Sequence, residues 1–404
     1  MRGAVRAAAS ILVVLALVIG LLGCGDSEHP GAAAASGSPS SGYVDWPYFG
    51  RVPARTHYLP DEDRALDPPL KQAWSVNTHA LIEFPPAIDD GVAYVINKYG
   101  NAKAVRLADR KVLWELNVHP SDKGKPTFVT APVYYRDRVY GAFLDGYLAA
   151  RDAATGKKVW VRKLNGHLES SPLAVDGTLY LGTDTTNVVA LDAASGETRW
   201  SFNSPGAIKA SPSYADGNVF VADYQSSMFA LDAKTGEPVW RTNTSKAPPY
   251  GRGGFFSSPA IAFGRVYAAR DDGTVFALDE KTGEVDWSFA TGDYVYGSPA
   301  VARVPGTPPS VYIGSENGRF FAIDARTGKP RWRFDVGGPV PGTATVIGHT
   351  VYTSSFKTRE TTGLDARSGR PTFRVKQAGY TPMVSDGRRL YVVGYYDLIG
   401  LEPK

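Results

Sequence analysis

The chain has 404 residues, of which 43 are glycine, 29 proline, 22 tyrosine and 17 phenylalanine, with only three methionines and a single cysteine. This composition favours strands and turns over a helical bundle, and one cysteine excludes an intrachain disulfide and any cysteine-based zinc or iron–sulfur site. The formal net charge of +4 is small for this length, so we expect no nucleic-acid partner.

The N-terminus has the pattern of a secretory signal. Arg2 and Arg6 precede an apolar run over residues 7–22, which is short for a membrane-spanning helix. Leu21-Leu22-Gly23-Cys24 then resembles the bacterial lipobox, which implies cleavage before Cys24 and a lipid anchor on its thiol. The alternative is an ordinary N-terminal anchor with an incidental cysteine. Two or three acyl chains would hold the protein stably at a membrane.

The sequence divides into four parts. We predict a lipoprotein signal over residues 1–23, a flexible Ala/Ser/Gly/Pro-rich tether over 24–42, an N-terminal strap over 43–69 and a repeat domain over 70–404. The strap begins with Trp46-Pro47-Tyr48-Phe49-Gly50, an aromatic stretch outside the repeat that we expect to pack against the domain.

A motif recurs through the repeat domain. Residues 188–200 (VVALDAASGETRW) are nearly copied 40 residues later over 228–240 (MFALDAKTGEPVW), and the marker tryptophans lie 40 to 47 residues apart. The repeated aspartates are Asp152, Asp192, Asp232, Asp279 and Asp324. The repeated glycines are Gly156, Gly196, Gly236, Gly283 and Gly328. The repeated tryptophans are Trp74, Trp114, Trp160, Trp200, Trp240, Trp287 and Trp332, and Phe373 stands at an eighth position.

Each unit also has a first half. Ser-Pro pairs such as Ser211-Pro212 precede a short apolar stretch, and Asp-Gly pairs such as Asp216-Gly217 predict tight hairpin turns. One unit therefore contains four antiparallel strands, which is a propeller blade. The end of the chain supplies three strands without a Trp strand, and residues 70–74 supply a Trp strand without a blade. Joining them predicts an all-β, eight-bladed propeller closed by its two termini.

The blade motif identifies a family. Ala230, Asp232, Thr235, Gly236 and Trp240 form an Ala-x-Asp-x-x-Thr-Gly-x-x-x-Trp motif, which resembles the docking motif of pyrroloquinoline-quinone (PQQ)-type repeats. These repeats occur in quinoprotein dehydrogenases and in the outer-membrane assembly lipoprotein BamB. WD-type and kelch propellers match less well, because their own signature pairs are absent. We expect the motif to be structural, with glycine at the turn and tryptophan packed between blades.

The resemblance also bears on catalysis. Quinoprotein alcohol dehydrogenases of this type carry an adjacent Cys-Cys disulfide over PQQ, a Ca²⁺ held by Glu and Asn, and an Asp base. Cys24 alone cannot form that disulfide. The acidic runs 61–63 and 271–272 lack the spacing of a Ca²⁺ loop, and the six histidines have no metal-ligand or triad spacing. We therefore expect no metal site, no catalytic residue and no cofactor, with PQQ in the channel as the alternative.

Blade geometry predicts where a ligand or partner would bind. The loops that enter each inner strand and the turns between the second and third strands should lie on one face, around the channel. Tyrosine and arginine are common at recognition surfaces, whereas ordinary exposed polar loops are the simpler interpretation. The candidates on the entry loops are His167, Glu169, Lys209, Tyr250, Arg252, Tyr294, Tyr296 and Tyr380. The candidates on the turns are Lys98, Tyr99, Asp223, Tyr224, Arg270, Glu316, Lys357, Arg359, Tyr395 and Tyr396.

These patterns together predict a non-catalytic, monomeric, lipid-anchored propeller outside the cytoplasm that presents its loop face to envelope proteins. The alternatives are a reduced PQQ-dependent dehydrogenase and an envelope ligand sensor. The Arg- and Ala-rich signal is typical of a high-GC genome, and in a host with one membrane a role in outer-membrane assembly would be excluded.

Overall fold

The computed structural model describes residues 42–61, 64–119, 129–249, 251–376 and 383–404. These residues form eight sheets arranged as the blades of a β-propeller, which confirms the predicted fold. The signal, nearly all of the tether, and Cys24 with its predicted lipid lie outside the described residues.

The strands are numbered in chain order, and β1 (Tyr58–Leu59) and β2 (Leu70–Asn77) precede the first blade. Blade 1 contains β3 (Ala87–Asp89), β4 (Val92–Ile96), β5 (Asn101–Arg106) and β6 (Lys111–Asn117). Blade 2 contains β7 (Val133–Tyr135), β8 (Arg138–Ala142), β9 (Tyr147–Asp152) and β10 (Lys158–Lys163). Blade 3 contains β11 (Leu173–Val175), β12 (Thr178–Gly182), β13 (Asn187–Asp192) and β14 (Thr198–Asn203). Blade 4 contains β15 (Ser213–Ala215), β16 (Asn218–Ala222), β17 (Ser227–Asp232) and β18 (Pro238–Asn243), followed by a 3₁₀ turn over Thr244–Lys246.

The second half of the ring repeats this arrangement. Blade 5 contains β19 (Ala260–Ala262), β20 (Arg265–Ala269), β21 (Thr274–Asp279) and β22 (Val285–Ala290). Blade 6 contains β23 (Ala300–Ala302), β24 (Ser310–Gly314), β25 (Arg319–Asp324) and β26 (Pro330–Asp335). Blade 7 contains β27 (Thr345–Ile347), β28 (Thr350–Ser355), β29 (Glu360–Asp365) and β30 (Pro371–Lys376). Blade 8 contains β31 (Val384–Ser385), β32 (Leu390–Gly394) and β33 (Asp397–Pro403).

The four strands of a blade differ in burial because they lie at different distances from the channel. In blade 4 the second and third strands, β16 and β17, are buried along almost their whole length between neighbouring blades. The outer strand β18 has exposed residues on either side of its buried Trp240. The edge of β18 that faces away from β17 has no neighbouring strand in the blade, so polar residues are tolerated on this strand. Its tryptophan supplies the packing surface.

The residues of the blade motif contact the neighbouring blade. Asp232 Oδ1 accepts hydrogen bonds from the backbone N–H groups of Lys234 and Thr235 at 2.9 and 2.8 Å, which fixes the turn before Gly236. Gly236 has a φ of +76° and lies against the Trp200 ring of the preceding blade, where an added Cβ would come within 2.6 Å of a ring carbon. Trp200 also donates from its indole nitrogen to the carbonyl of Ala233 at 3.0 Å. Each such tryptophan therefore joins its blade to the next.

The ring is closed by strands from both ends of the repeat domain. Strand β2 pairs antiparallel with β33 from Leu70↔Pro403 to Asn77↔Asp397, so the first strand of the domain is the outer strand of blade 8. The Trp74 and Tyr391 rings pack at 5.6 Å within this blade. The predicted terminal closure is confirmed, and it leaves no blade of the ring incomplete.

Residues 44–59 of the strap run around the inner strands of the whole ring. Its β1 pairs in parallel with β27, so blade 7 has five strands where the sequence predicted four. It hydrogen-bonds with the inner-strand region of each blade in ring order, through Asp386, Ile88, Tyr134, Ala174, Tyr214, Ile261, Val301 and Val346. The aromatic start of the strap is buried, with Trp46 only 1% exposed. A segment of one chain thereby contacts all eight blades.

Candidate functional site

The entry loops and the turns between second and third strands lie on the same face, as the sequence predicts. The backbone N–H of Tyr224, in the turn after β16, donates to the carbonyl of Ala207 in the blade 4 entry loop at 2.9 Å. The N–H of Glu316 donates in the same way to Tyr294 in blade 6. We call this surface the loop face; the Asp-Gly and Thr-Gly turns lie at the opposite face.

A cavity of about 520 Å³ opens at the centre of the loop face. This volume lies within the range of roughly 300–1,000 Å³ that is usual for small-molecule sites. Its walls come from the entry loops, and its floor includes Phe49 from the strap. Aromatic and aliphatic side chains alternate with serine and threonine hydroxyls in the lining, and the charged residues that line it are Glu83, Glu169 and Lys209.

A chain of hydroxyl hydrogen bonds lines part of the cavity and joins consecutive blades from blade 2 to blade 7. Each donor is the backbone N–H of the residue before the proline in one entry loop, and each acceptor is the hydroxyl oxygen at the same position of the next blade. The donor–acceptor pairs are Ala131–Ser171 at 3.1 Å, Ser171–Ser211 at 2.9 Å, Ser211–Ser258 at 3.0 Å, Ser258–Ser298 at 3.0 Å and Ser298–Thr343 at 2.8 Å. The Ser-Pro repeat thus has a structural role that the sequence did not disclose.

Arg55 of the strap is fully buried below the cavity. Its guanidinium donates to the carbonyls of Phe49, Ser171, Pro172 and Pro212, and so ties the strap to blades 3 and 4. Burial lowers the pKa of the Arg55 guanidinium to about 9, and Tyr48 offsets part of that fall. These contacts hold Phe49 in place at the floor.

His57 lies beside Arg55 and is also buried. Its ring packs edge-on against Phe49 at 4.8 Å, and its Nε2 has no hydrogen-bond partner among the described residues. Burial, and then the charge of Arg55, lower the His57 pKa to about 3. The imidazole is therefore neutral at physiological pH and acts as a packing group.

Lys209 occupies one wall of the cavity. Its ammonium nitrogen lies 3.0 Å from a Glu169 carboxylate oxygen. The same nitrogen lies 5.1 Å from the centre of the Phe256 ring and 5.2 Å from the centre of the Tyr224 ring. Tyr296 continues this aromatic cluster, 5.5 Å from Phe256. The wall therefore holds an ammonium group between a carboxylate and aromatic faces, a favourable arrangement for a cation.

Glu83 lines the cavity from the blade 1 entry loop. It has no hydrogen bond or ion pair with any described residue, although Lys98 is near enough to influence its charge. Burial raises the pKa of the Glu83 carboxyl, and Lys98 offsets part of that rise. Beside it, the Phe84 and Phe49 rings meet edge-on at 6.2 Å.

The structure brings together three of the residues predicted from the entry loops, places Tyr294 beside one of them, Tyr296, and leaves His167 and Arg252 outside the cavity lining. Glu169, Lys209 and Tyr296 line the cavity. His167 is exposed and faces Asp184, with Nδ1 2.9 Å from the carboxylate, and Arg252 is exposed outside the lining. Tyr250 and Tyr380 lie outside the described residues.

Sequence reasoning did not single out Glu83, Phe84, Phe256 or Phe49 as site residues. Glu83 and Phe256 lie two positions before the pair that starts an inner strand, in register with Glu169 and Lys209, and Phe84 directly follows Glu83. Aligning the entry loops on their Ser-Pro pairs could have found them. Phe49 gave no such signal, because the strap lies outside the repeat.

The predicted absence of a metal site stays a prediction. Within the described ranges no group of three or more His, Cys, Asp or Glu side chains is placed to hold a metal ion. In the acidic pair 271–272, Asp272 instead pairs with the buried Arg270 at 2.6 Å. The same ranges contain no helix long and apolar enough to cross a membrane.

Fold and site together define an eight-bladed propeller with PQQ-type repeats and a central cavity on its loop face. The family model described as outer membrane protein assembly factor BamB matches this chain in three overlapping passes, over residues 64–183, 144–308 and 299–399. The chain belongs to this BamB-type family.

Curated alcohol dehydrogenases are similar to part of this chain. The dehydrogenase subunit of the quinone alcohol dehydrogenase of Komagataeibacter europaeus is 35% identical over 125 residues, which is 29% of this chain and 17% of the relative. Quinohemoprotein alcohol dehydrogenase ADH IIB of Pseudomonas putida is 32% identical over 187 residues, 43% of this chain and 26% of the relative. The matched stretch therefore spans about a quarter or less of these enzymes.

Solved structures share the fold at low sequence identity. Quinohemoprotein alcohol dehydrogenase from Comamonas testosteroni superposes with a TM-score of 0.74 at 16% identity, over 89% of this chain and 81% of that one. BamB from Moraxella catarrhalis superposes with a TM-score of 0.66 at 19% identity, over 82% of this chain and 99% of that one.

The residues around the cavity do not fit PQQ. PQQ is a polycarboxylate, so its site needs cationic partners. The described lining offers one cation, Lys209, which already pairs with Glu169, and adds the carboxylate of Glu83. A polyanion would meet an excess of negative charge among these side chains.

Proposed function

We propose that this chain is a non-catalytic binding protein of the cell envelope that receives a protein partner on its loop face. One observation carries the proposal. The exposed aromatic side chains of the described residues are five tyrosines, all on the loop face: Tyr99, Tyr224, Tyr294, Tyr296 and Tyr396. Tyrosine gives large contact area with little loss of conformational freedom, and it is enriched at protein interfaces.

The family also supports a protein partner, since the family is described as an assembly factor.

We further propose that Cys24 carries a lipid anchor after cleavage of residues 1–23, which would keep the propeller at a membrane outside the cytoplasm. Globomycin treatment, which blocks lipoprotein signal cleavage, should retain the uncleaved form, and Cys24→Ala should abolish metabolic labelling with palmitate. Unchanged labelling in that variant would exclude this anchor.

Site-specific photo-crosslinking tests the loop face. A photoreactive residue is placed at Tyr296, at Tyr396, or at Lys234 in the Thr-Gly turn of the opposite face, in otherwise unchanged chains expressed in the native host. We expect the same envelope protein to cross-link from both tyrosine positions and not from Lys234. The double variant Tyr294→Ser with Tyr224→Ser should weaken cross-linking from position 396 at least about tenfold. Equal cross-linking from both faces would contradict the proposal.

The dehydrogenase alternative has a direct test. Purified chain is incubated with PQQ and Ca²⁺, separated from free cofactor and measured for quinone absorbance. We expect no stoichiometric binding because of the charge of the cavity lining. One bound quinone per chain would favour the enzyme over the scaffold.

A further inference from the structure

Two carboxylates line the cavity together with aromatic rings, and among the described residues only Glu169 has a cation at ion-pair distance. In the first cluster Glu169, Phe256 and Tyr224 surround the ammonium group of Lys209. The second consists of Glu83, Phe84 and Phe49, and no cation among the described residues forms an ion pair with it. We name this second cluster the Glu83 pocket.

We propose that the Glu83 pocket binds a small organic cation, an amine or quaternary ammonium group attached to an apolar body. The inference goes beyond the proposed protein partner and does not depend on it. The ligand's charged group lies at the Glu83 carboxylate, against the Phe84 and Phe49 rings, and its apolar body fills the cavity towards Leu168 and Tyr296.

The carboxylate chemistry supports a cation over a neutral or anionic ligand. A half-buried carboxylate loses hydration, and that loss is offset only by a hydrogen bond or an opposite charge. Glu83 has neither within ion-pair distance among the described residues, and Lys98 acts on it only from farther away. A bound ammonium group supplies both at once.

The aromatic surroundings support the same ligand class. Ammonium groups bind over aromatic faces within about 6 Å, and Lys209 already does so in this cavity at 5.1 Å from Phe256. Because Lys209 is paired with Glu169, it leaves the Glu83 carboxylate as the unpaired charge of the described lining. The cavity volume of about 520 Å³ has room for more than an ammonium group, so an apolar body belongs to the ligand.

Isothermal titration of the full chain with three matched probes tests the proposal. The probes are phenethylamine, 2-phenylethanol and 3-phenylpropionate, which share one aromatic body and differ in charge. We expect phenethylamine to bind at least about tenfold more tightly than the alcohol, and the acid not to bind, because a charge-assisted hydrogen bond is lost in both. Equal binding of the amine and the alcohol overturns the proposal, and this comparison needs only the parent chain.

Two variants separate the Glu83 pocket from general surface charge. Glu83→Gln keeps the shape and removes the charge, and it should weaken phenethylamine binding at least about tenfold. Glu316→Gln is the matched control, because Glu316 is another half-buried carboxylate of the loop face whose pKa is raised by burial, and it does not line the cavity. Unchanged affinity in Glu83→Gln, or an equal loss in Glu316→Gln, overturns the proposal. The titrations do not depend on the protein partner. If no envelope protein cross-links at Tyr296, the proposed function fails, and the binding of phenethylamine still decides this proposal.

Discussion

Single residues join the blades through close contacts that allow little substitution. Gly236 combines a left-handed backbone with direct contact to the Trp200 ring. A side chain there meets two separate obstacles, the positive φ and the ring. Gly217 offers a comparison, since it has a φ of +80° but no atom within 4 Å of an added Cβ. A side chain at Gly217 would therefore meet the backbone strain without a ring contact.

We expect Gly236→Ala to lower the free energy of unfolding by about 3 kcal/mol or more, from backbone strain together with displacement of the indole. Gly217→Ala should cost about 1 kcal/mol, from the positive φ alone. Urea unfolding of the two variants measures the difference. Equal losses would mean that the glycine–tryptophan contact contributes nothing beyond backbone geometry.

The buried His57 gives stability a dependence on pH. Its pKa is about 3 in the folded chain and near 6.5 when unfolded, so between these values the unfolded state binds a proton that the folded state excludes. Stability is complete above about pH 6.5 and falls as the pH drops towards 3. Between pH 7 and pH 4 we expect His57 to contribute a loss of about 3 kcal/mol.

His57→Asn removes this titration and suits the φ of +53° at the position. The variant should lose less stability than the parent between pH 7 and pH 4, as measured by urea unfolding at each pH. An identical acid loss in both proteins would show that groups other than His57 govern it.

At the level of whole elements, the entry loops do more than connect blades. Their hydroxyl groups satisfy buried backbone N–H groups of the preceding blade and place Glu169 and Lys209 on the cavity wall. The hydrogen bonds to the backbone depend on the repeated Ser-Pro pair. The side chains on the cavity wall stand at positions that differ between blades, so that similar blades together form a site of mixed chemistry.

Ser211→Ala should lower the free energy of unfolding by about 1–3 kcal/mol, because the buried N–H of Ser171 loses its acceptor. Ser211→Thr keeps the hydroxyl, and Thr343 already performs the same function in blade 7. We expect the threonine variant to remain within about 1 kcal/mol of the parent in thermal or urea unfolding. Equal destabilisation of both variants would assign the effect to packing rather than to the hydrogen bond.

At the scale of the whole molecule, two features oppose independent unfolding of the blades. The strap contacts all of them in turn, and β33 lies between β2 and β32 to close the ring. Repeat proteins without such ties unfold in parts, because each unit contacts only its neighbours.

We therefore expect tryptophan fluorescence and far-ultraviolet circular dichroism to report one coincident urea transition for the whole chain. Deleting residues 397–404 removes β33 and exposes two strand edges, so that variant should aggregate or unfold in separate transitions. Deleting Lys404 alone removes one hydrogen bond, to Pro69, and should preserve the single transition. Separate transitions in the parent chain would contradict this account of the strap and the closure.

The sequence by itself determined the repeating parts of this protein. Tryptophans 40 to 47 residues apart, Asp-Gly turns and a lone Trp strand at the start predicted eight blades and their closure, because each blade obeys the same local rules. It also predicted the face on which the loops meet and placed Glu169, Lys209 and Tyr296 there.

Only the tertiary structure decided what lies at the centre. Glu83 and Lys209 are 126 positions apart and belong to different blades, and Phe49 comes from a segment outside every repeat. Likewise, the route of the strap through all blades and the burial of Arg55 depend on edges that exist only once the ring has formed. Periodicity describes the contacts that recur from blade to blade, whereas the cavity depends on residues that differ between blades and are brought together by closure of the ring.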